Sequence, residues 1–175
     1  DQWASIGHNS HIVDVHETGT EPRPWAAVAA GATPLPDAVS ELDRSERLRV
    51  LDGVIEGMYT ADLYNISHGN LHPGVIQIDE TGERTAVIAD WGLERAVGAT
   101  VGTDTVSPYT APEQLDGETT PTTDVYRVGA LAYWLLTDRE PYADAADVAA
   151  AIRTGDLSPP SELATLPDQI DTVLL

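Results

Sequence analysis

Two histidines, a carboxamide and a carboxylate are the residues of this chain whose types and spacing could do chemistry together. His68-Gly69-Asn70-Leu71-His72-Pro73 reads as one loop, and Asp90-Trp91-Gly92 follows at a distance in sequence. Between them, Val75-Ile76-Gln77-Ile78 and Ala86-Val87-Ile88-Ala89 read as short strands joined by the polar turn Asp79 to Arg84, with Gly82 near its apex. Such a hairpin holds the loop beside Asp90, a layout suited to a phosphate and a metal ion. Plainer readings stand beside it: Asp90 as a strand-end carboxylate capping the next turn, and Asn70 as a turn residue.

Other metal readings fare worse. His68 and His72 lie four apart, as in a helical zinc pair, but Gly69 stands where a metalloprotease has Glu and Pro73 breaks the helix. His8 and His11 lie three apart with His16 beyond, and no Cys or carboxylate completes a ligand set at a known spacing. They read as a solvated loop.

Composition narrows the chemistry further. The chain has 175 residues and a formal net charge of -20; all nine basic residues are Arg, with no Lys, Cys or Phe. Zero Cys removes disulfides, thiolate catalysis and Cys-ligated metals. Zero Lys removes Schiff-base chemistry and a phosphate-binding lysine from this segment. The charge has two readings, adaptation to molar salt, where the Debye length falls to ~3 Å, or an acidic face for a basic partner. The acidic residues are scattered rather than blocked, which favours salt adaptation. Either reading argues against sequence-independent nucleic-acid binding, which needs a Lys/Arg surplus. No run approaches the ~20 apolar residues of a membrane span, so no membrane contact is expected from this segment. There is no signal peptide and no initiating Met, and the chain reads as a piece of a longer, cytoplasmic protein.

The elements that must position the loop can be read in order. Residues 1 to 11 resemble the tail of a helix. Ile12-Val13-Asp14-Val15 alternates as a strand, Glu17 to Arg23 reads as a turn, and Trp25 to Ala30 as a second, buried strand ended by Gly31. Pro34 to Asp37 opens a short helix through about Leu42. Arg44 to Leu63 reads as a long helix, with Leu48, Leu51, Ile55 and Met58 at spacings of 3, 4 and 3 as its apolar stripe. Asp43 or Ser45 can cap it, and Asn65 can stop it. Leu93 to Tyr109 reads as a long surface loop. Thr122-Thr123-Asp124 opens a helix that is apolar nearly all round through Thr137, which belongs in the middle of a core. Ala143 to Arg153 reads as a small helix stopped at Gly155, Ser158-Pro159-Pro160 as a linker, and Leu166 to Leu175 as the start of another helix.

The order and spacing of these pieces resemble the Ser/Thr type of the protein kinase family, recognised by H-R-D-L-x-x-x-N, D-F-G and A-P-E in that order. Here they stand as His68-Gly69-Asn70-Leu71 with Val75 at the Asn position, Asp90-Trp91-Gly92, and Ala111-Pro112-Glu113, followed by Thr123-Asp124-Val125-Tyr126-Arg127-Val128-Gly129. Each match is weak alone; their order and separations are specific. The resemblance covers about residues 6 to 175. It implies an α+β protein-kinase-like fold, a mostly helical large lobe with a partial small-lobe β-sheet. Residues 1–31 would be the end of the small lobe and the hinge, and 32–175 the large lobe, truncated in its last helices. The Gly-rich loop, strand Lys and helix Glu of the family lie upstream. Composition adds the expectation of a halophilic archaeal source.

The same resemblance shows which chemistry is expected to be lost. In the family the loop Asp takes the substrate proton, while the D-F-G Asp and the loop Asn hold Mg²⁺. Asn70 stands at the base position and has no basic oxygen. Val75 cannot ligate a metal. His72 stands at the loop-Lys position, mostly uncharged near pH 7. Gln77 falls under the adenine, a poor floor unless paired. Val106 falls where the Ser/Thr kinases carry a Thr near the substrate. ATP and Mg²⁺, if bound, would meet Ala29 and Gly31 at the hinge, Gln77 on the floor, and Asp90 as the metal ligand. His68, Trp91, Gly92, Glu113 and Asp124 would be structural. The expectation is a pseudokinase, a protein-binding or regulatory module in signalling with a protein partner. The alternative is an active ATP-dependent Ser/Thr protein kinase with an unusual loop and a protein substrate. A third is a non-functional remnant.

Overall fold

The computed structural model describes residues 2–22, 25–29, 32–80, 82–91 and 106–175. Gly31, Gly92 and most of the expected surface loop from Leu93 lie outside the described residues. The chain forms two compact units, Asp1–Asp104 and Thr105–Leu175, and each is treated by itself.

In the first unit, α1 (Gln2–Ile6) leads into a two-stranded ribbon, β1 (Val15–Gly19) antiparallel to β2 (Trp25–Val28). A three-stranded antiparallel sheet follows in the order β3 (Thr33–Pro34), β4 (Ile76–Asp79), β5 (Thr85–Ile88), with α2 (Leu35–Ala38) and α3 (Arg44–Leu63) between β3 and β4. The register pairs Ile76 with Ile88 and Ile78 with Ala86, and all four are fully buried. Gln77 pairs with Val87 and Asp79 with Thr85 on the less buried face, as the period of two requires.

The first strand departs from the expected Ile12–Val15. Ile12 and Val13 are taken up elsewhere: Val13 N–H donates to Ile88 O at 2.9 Å, and Ile88 N–H donates to His11 O at 2.8 Å. That edge contact to β5 uses the alternating residues, so the ribbon begins only at Val15 and runs through the expected turn to Gly19. β2 is also not the buried strand that its composition indicates, since Trp25 is 39% exposed. Among the described residues only β1 is paired with it.

α3 has the expected bounds because its ends are locally encoded. The Asp43 carboxylate accepts Glu46 N–H at 2.9 Å, and the Glu46 carboxylate accepts Asp43 N–H at 2.8 Å, a reciprocal cap. Asn65 stops it with φ 55. Of the Leu48–Met58 stripe only Met58 lies on its buried face. The helix buries Val50, Gly53, Val54, Gly57, Met58 and Ala61, whereas Leu48 and Ile55 are each 47% exposed. A Cβ on Gly57 would stand 2.8 Å from Ile88 Cδ1 and 3.1 Å from His11 O. Only a face of small residues lets α3 lie this close to β5 and the N-terminal segment.

In the second unit, α4 (Pro121–Thr137) is the central element. Pro121 suits the first helical position, and the Thr123 hydroxyl accepts Thr120 N–H at 2.9 Å. Ala130, Leu131, Ala132, Tyr133 and Leu135 are buried. Asp138 ends the helix in the left-handed region at φ 58. α5 (Val148–Thr154) starts later than Ala143 because Asp147 caps it, accepting Ala150 N–H at 3.0 Å. Pro160 does not remain a linker; it opens the one-turn α6 (Pro160–Leu163). The last helix, α7 (Gln169–Leu174), begins after Pro167 rather than at Leu166. Asp171 ties the two together, accepting Ser161 N–H at 2.9 Å and its hydroxyl at 2.6 Å. Among the described residues no helix is long and apolar enough to cross a membrane.

Candidate functional site

The loop and the carboxylate are joined through main chain. His68 is buried, and its Nδ1 accepts Asn70 N–H at 3.3 Å. With Nδ1 an acceptor, the proton sits on Nε2, which donates to Ala89 O at 3.0 Å. Ala89 N–H in turn donates to Val75 O at 2.9 Å. Both sides of the Ala89 residue are therefore held, one by the loop and one by the turn before β4, and Asp90 follows immediately. Gly69 permits this path, since its φ of 74 lies in the left-handed region.

Trp91 closes the arrangement. Its ring lies 4.9 Å from the His68 ring, centroid to centroid, and its indole N–H donates to Ile88 O at 3.2 Å. Asp90 is half-buried with φ 59, a backbone state that Asp tolerates better than most residues. His72 acts locally: its Nδ1 accepts Gly74 N–H at 3.1 Å, capping the single 3₁₀ turn Pro73–Val75. Asn70 is half-buried, and Val75 is 3% exposed. Gln77 points to the less buried face of β4, away from Ile76 and Ile78. At the expected hinge position, Ala29 N–H donates to Asp14 O at 2.9 Å. Its amide is thus committed within the ribbon.

These residues do not fit the two-metal set of the kinase family. Val75, which the resemblance would put at the position of the second ligand, is apolar and buried. Among the described residues no group of three or more His, Cys, Asp or Glu could hold a metal ion. Asp90 is the carboxylate that follows the hairpin at its loop end.

Glu113 and Asp124 belong to the second unit. Thr123 donates its hydroxyl to Glu113 Oε1 at 2.6 Å, and Thr120 does so at 3.3 Å. The Thr123 hydrogen bond is the main cause holding the Glu113 carboxyl below its ordinary pKa, with the Arg127 charge a smaller one. Arg127, itself buried, donates through Nε to Gln114 Oε1 at 2.9 Å. Asp124 is buried on the first turn of α4. This Thr-Glu-Arg-Gln network was not singled out from sequence. The spacing Thr120-Pro121-Thr122-Thr123 before an apolar run is the signal that could have found it. The Tyr109 hydroxyl is buried, and burial first, then the neighbouring Glu140 carboxylate, raises its pKa strongly.

No protein-family model matches this chain. Among curated proteins, the serine/threonine-protein kinase PknL of Mycobacterium tuberculosis is 34% identical over 134 residues, 71% of this chain and 33% of the relative. The probable serine/threonine-protein kinase PknB of Bifidobacterium longum is 29% identical over 184 residues, 91% of this chain and 25% of the relative. The serine/threonine-protein kinase PknJ of Mycobacterium tuberculosis is 28% identical over 172 residues, 91% of this chain and 29% of the relative. The homologues of this chain are thus serine/threonine protein kinases, and they support its place in the protein-kinase-like superfamily. The chain spans about a quarter to a third of the length of these relatives.

Proposed function

We propose that this chain is a protein-kinase-like domain whose phosphoryl-transfer machinery is impaired, and that it serves as a protein-binding or regulatory module in signalling. The observation that carries the reading is Val75: buried and apolar, with its carbonyl bound by Ala89 N–H, it stands where the family places a metal-binding Asn. Asn70 at the base position and His72, spent on capping a turn, support the same reading. An active ATP-dependent Ser/Thr kinase is the second reading, favoured by the His68–Ala89 bond that sets Asp90 beside the loop. It needs a Lys and Gly-rich loop from upstream sequence, and catalysis by positioning and charge rather than by a base. ATP and Mg²⁺ are part of that second reading. A net charge of -20 without Lys supports the further proposal of a halophilic, archaeal source; a cytoplasmic setting goes with the kinase reading.

The test is a thermal shift on the full-length protein in about 2 M KCl, with and without ATP and Mg²⁺ or Mn²⁺, alongside transfer of labelled phosphate to a general protein substrate. Ligand at ~100-fold excess over Kd adds roughly 2.7 kcal/mol to a state that alone binds it. The impaired reading expects no phosphate transfer. Transfer that is abolished by Asp90→Ala would overturn it in favour of the active kinase.

A further inference from the structure

The outer face of α3 carries a stripe of large apolar side chains that the described residues of the first unit leave uncovered. Leu48 and Ile55 are each 47% exposed, Tyr59 63% and Leu63 62%. At about 100° per residue, Leu48, Ile55 and Tyr59 fall within roughly 40° of one another, with Leu63 about 40° further round. The stripe lies opposite the buried Val50, Gly53, Val54, Gly57 and Ala61. From Leu48 to Leu63 it runs about 22 Å at the helical rise. Scattered exposed leucines are ordinary; several large apolar side chains gathered on one face of one helix mark an interaction surface.

The rim of the stripe identifies the occupant. Asp52 and Asp62 are exposed and interleave with it. From Val50 to Leu63 the helix has no basic residue. Of the arginines of its first turns, Arg47 is directed to Leu42 O and Val39 O and Arg49 to Glu83, while exposed Arg44 lies one turn before Leu48, ahead of the stripe. A second copy would bring the same carboxylates against these, and an anionic lipid surface would be repelled by a chain of net charge -20. We propose that the outer face of α3 is a docking surface for an amphipathic helix of a partner protein, with apolar residues at i, i+3/i+4 and i+7 flanked by Lys or Arg. The surface is separate from the loop around Asn70 and Asp90 and would serve an active or an impaired domain equally.

The probe is a synthetic Leu/Lys helix of roughly 18 residues, about five turns, labelled for anisotropy and titrated with the full-length protein. An Ala/Lys helix of the same charge is the control. The Leu/Lys helix is expected to bind, the Ala/Lys helix to bind at least about tenfold more weakly, and the Ile55→Ser/Tyr59→Ser variant to lose about tenfold or more in affinity. Asp52→Asn/Asp62→Asn should weaken binding in about 0.15 M salt and much less in about 1 M, where screening removes the charge contribution. All four positions are exposed, so the variants should melt like the parent. Equal binding of both peptides, or affinity unchanged in the Ile55/Tyr59 variant, overturns the proposal. So does self-association that Ile55→Ser abolishes, which makes the stripe an interface between copies. Binding to anionic phospholipid vesicles that the same variant loses overturns it in favour of a membrane surface.

Discussion

Replacing His68 by Leu isolates what the imidazole does beyond filling space. The ring is 1% exposed and bonds two main-chain groups, Ala89 O at 3.0 Å and Asn70 N–H at 3.3 Å. Leucine conserves most of the buried volume and supplies neither partner. A buried polar group left unpaired costs about 1–3 kcal/mol. Ala89 is buried and bears that cost in full, whereas Asn70 is half-buried and water can take over part of its bond. The expected loss is therefore about 2–3 kcal/mol, or roughly 4–12 °C for a chain of this size. His68→Gln places an amide donor near Ala89 O and should recover part of it. The assay is urea unfolding in about 1 M KCl, followed by the intrinsic fluorescence of the four tryptophans, among them Trp91, whose ring lies 4.9 Å from that of His68. Loss below ~0.5 kcal/mol for His68→Leu, within the range of ordinary surface changes, would refute the reasoning. So would a His68→Gln protein as unstable as the Leu variant.

Three further outcomes are expected. Asp43→Ala removes the reciprocal cap of α3 and should cost about 1 kcal/mol by denaturant unfolding; no change would mean that tertiary packing alone sets the helix start. Gly57→Ala would be stabilising by about 1 kcal/mol on an exposed helix face, but here the new methyl meets Ile88 Cδ1 at 2.8 Å and the fixed carbonyl of His11 at 3.1 Å. The overpacking cost of about 1–3 kcal/mol should make it neutral to destabilising, and a raised melting temperature would contradict the close approach. Glu113 has a folded pKa below its unfolded one, chiefly through the Thr123 hydroxyl. Its stabilising contribution is then complete above the unfolded value and lost as pH falls through the folded value. Thr123→Val should raise the Glu113 pKa in an NMR titration and flatten the acid arm of stability against pH; an unmoved titration would assign the shift to the backbone and Thr120 hydrogen bonds and Arg127 instead.

Much of the frame was legible because it is encoded within a few residues of where it acts. The α3 ends follow from Asp43, Glu46 and Asn65, the β4–β5 hairpin from two apolar runs around a polar turn, and the α5 stop from Gly155. The H-G-N-L, D-W-G and A-P-E series likewise carried the resemblance before any fold was in view. What the sequence could not show was which groups meet across the chain. The Leu48–Ile55 stripe has the right helical period for a core, and periodicity alone could not say that Ile88 and the His11 backbone would press on the opposite side. That choice falls to Gly53 and Gly57, whose missing side chains admit a neighbouring backbone and so turn the leucines outward. The first strand moved for the same reason: Val13 bonds Ile88, 75 positions away in sequence, and no local pattern reports it. At the site, the residue types of Asn70 and Val75 raised the expectation of lost chemistry through the resemblance alone. Only the tertiary structure assigned the His68 proton to Nε2 and fixed Ala89 from both sides, because those bonds join segments that the sequence keeps apart.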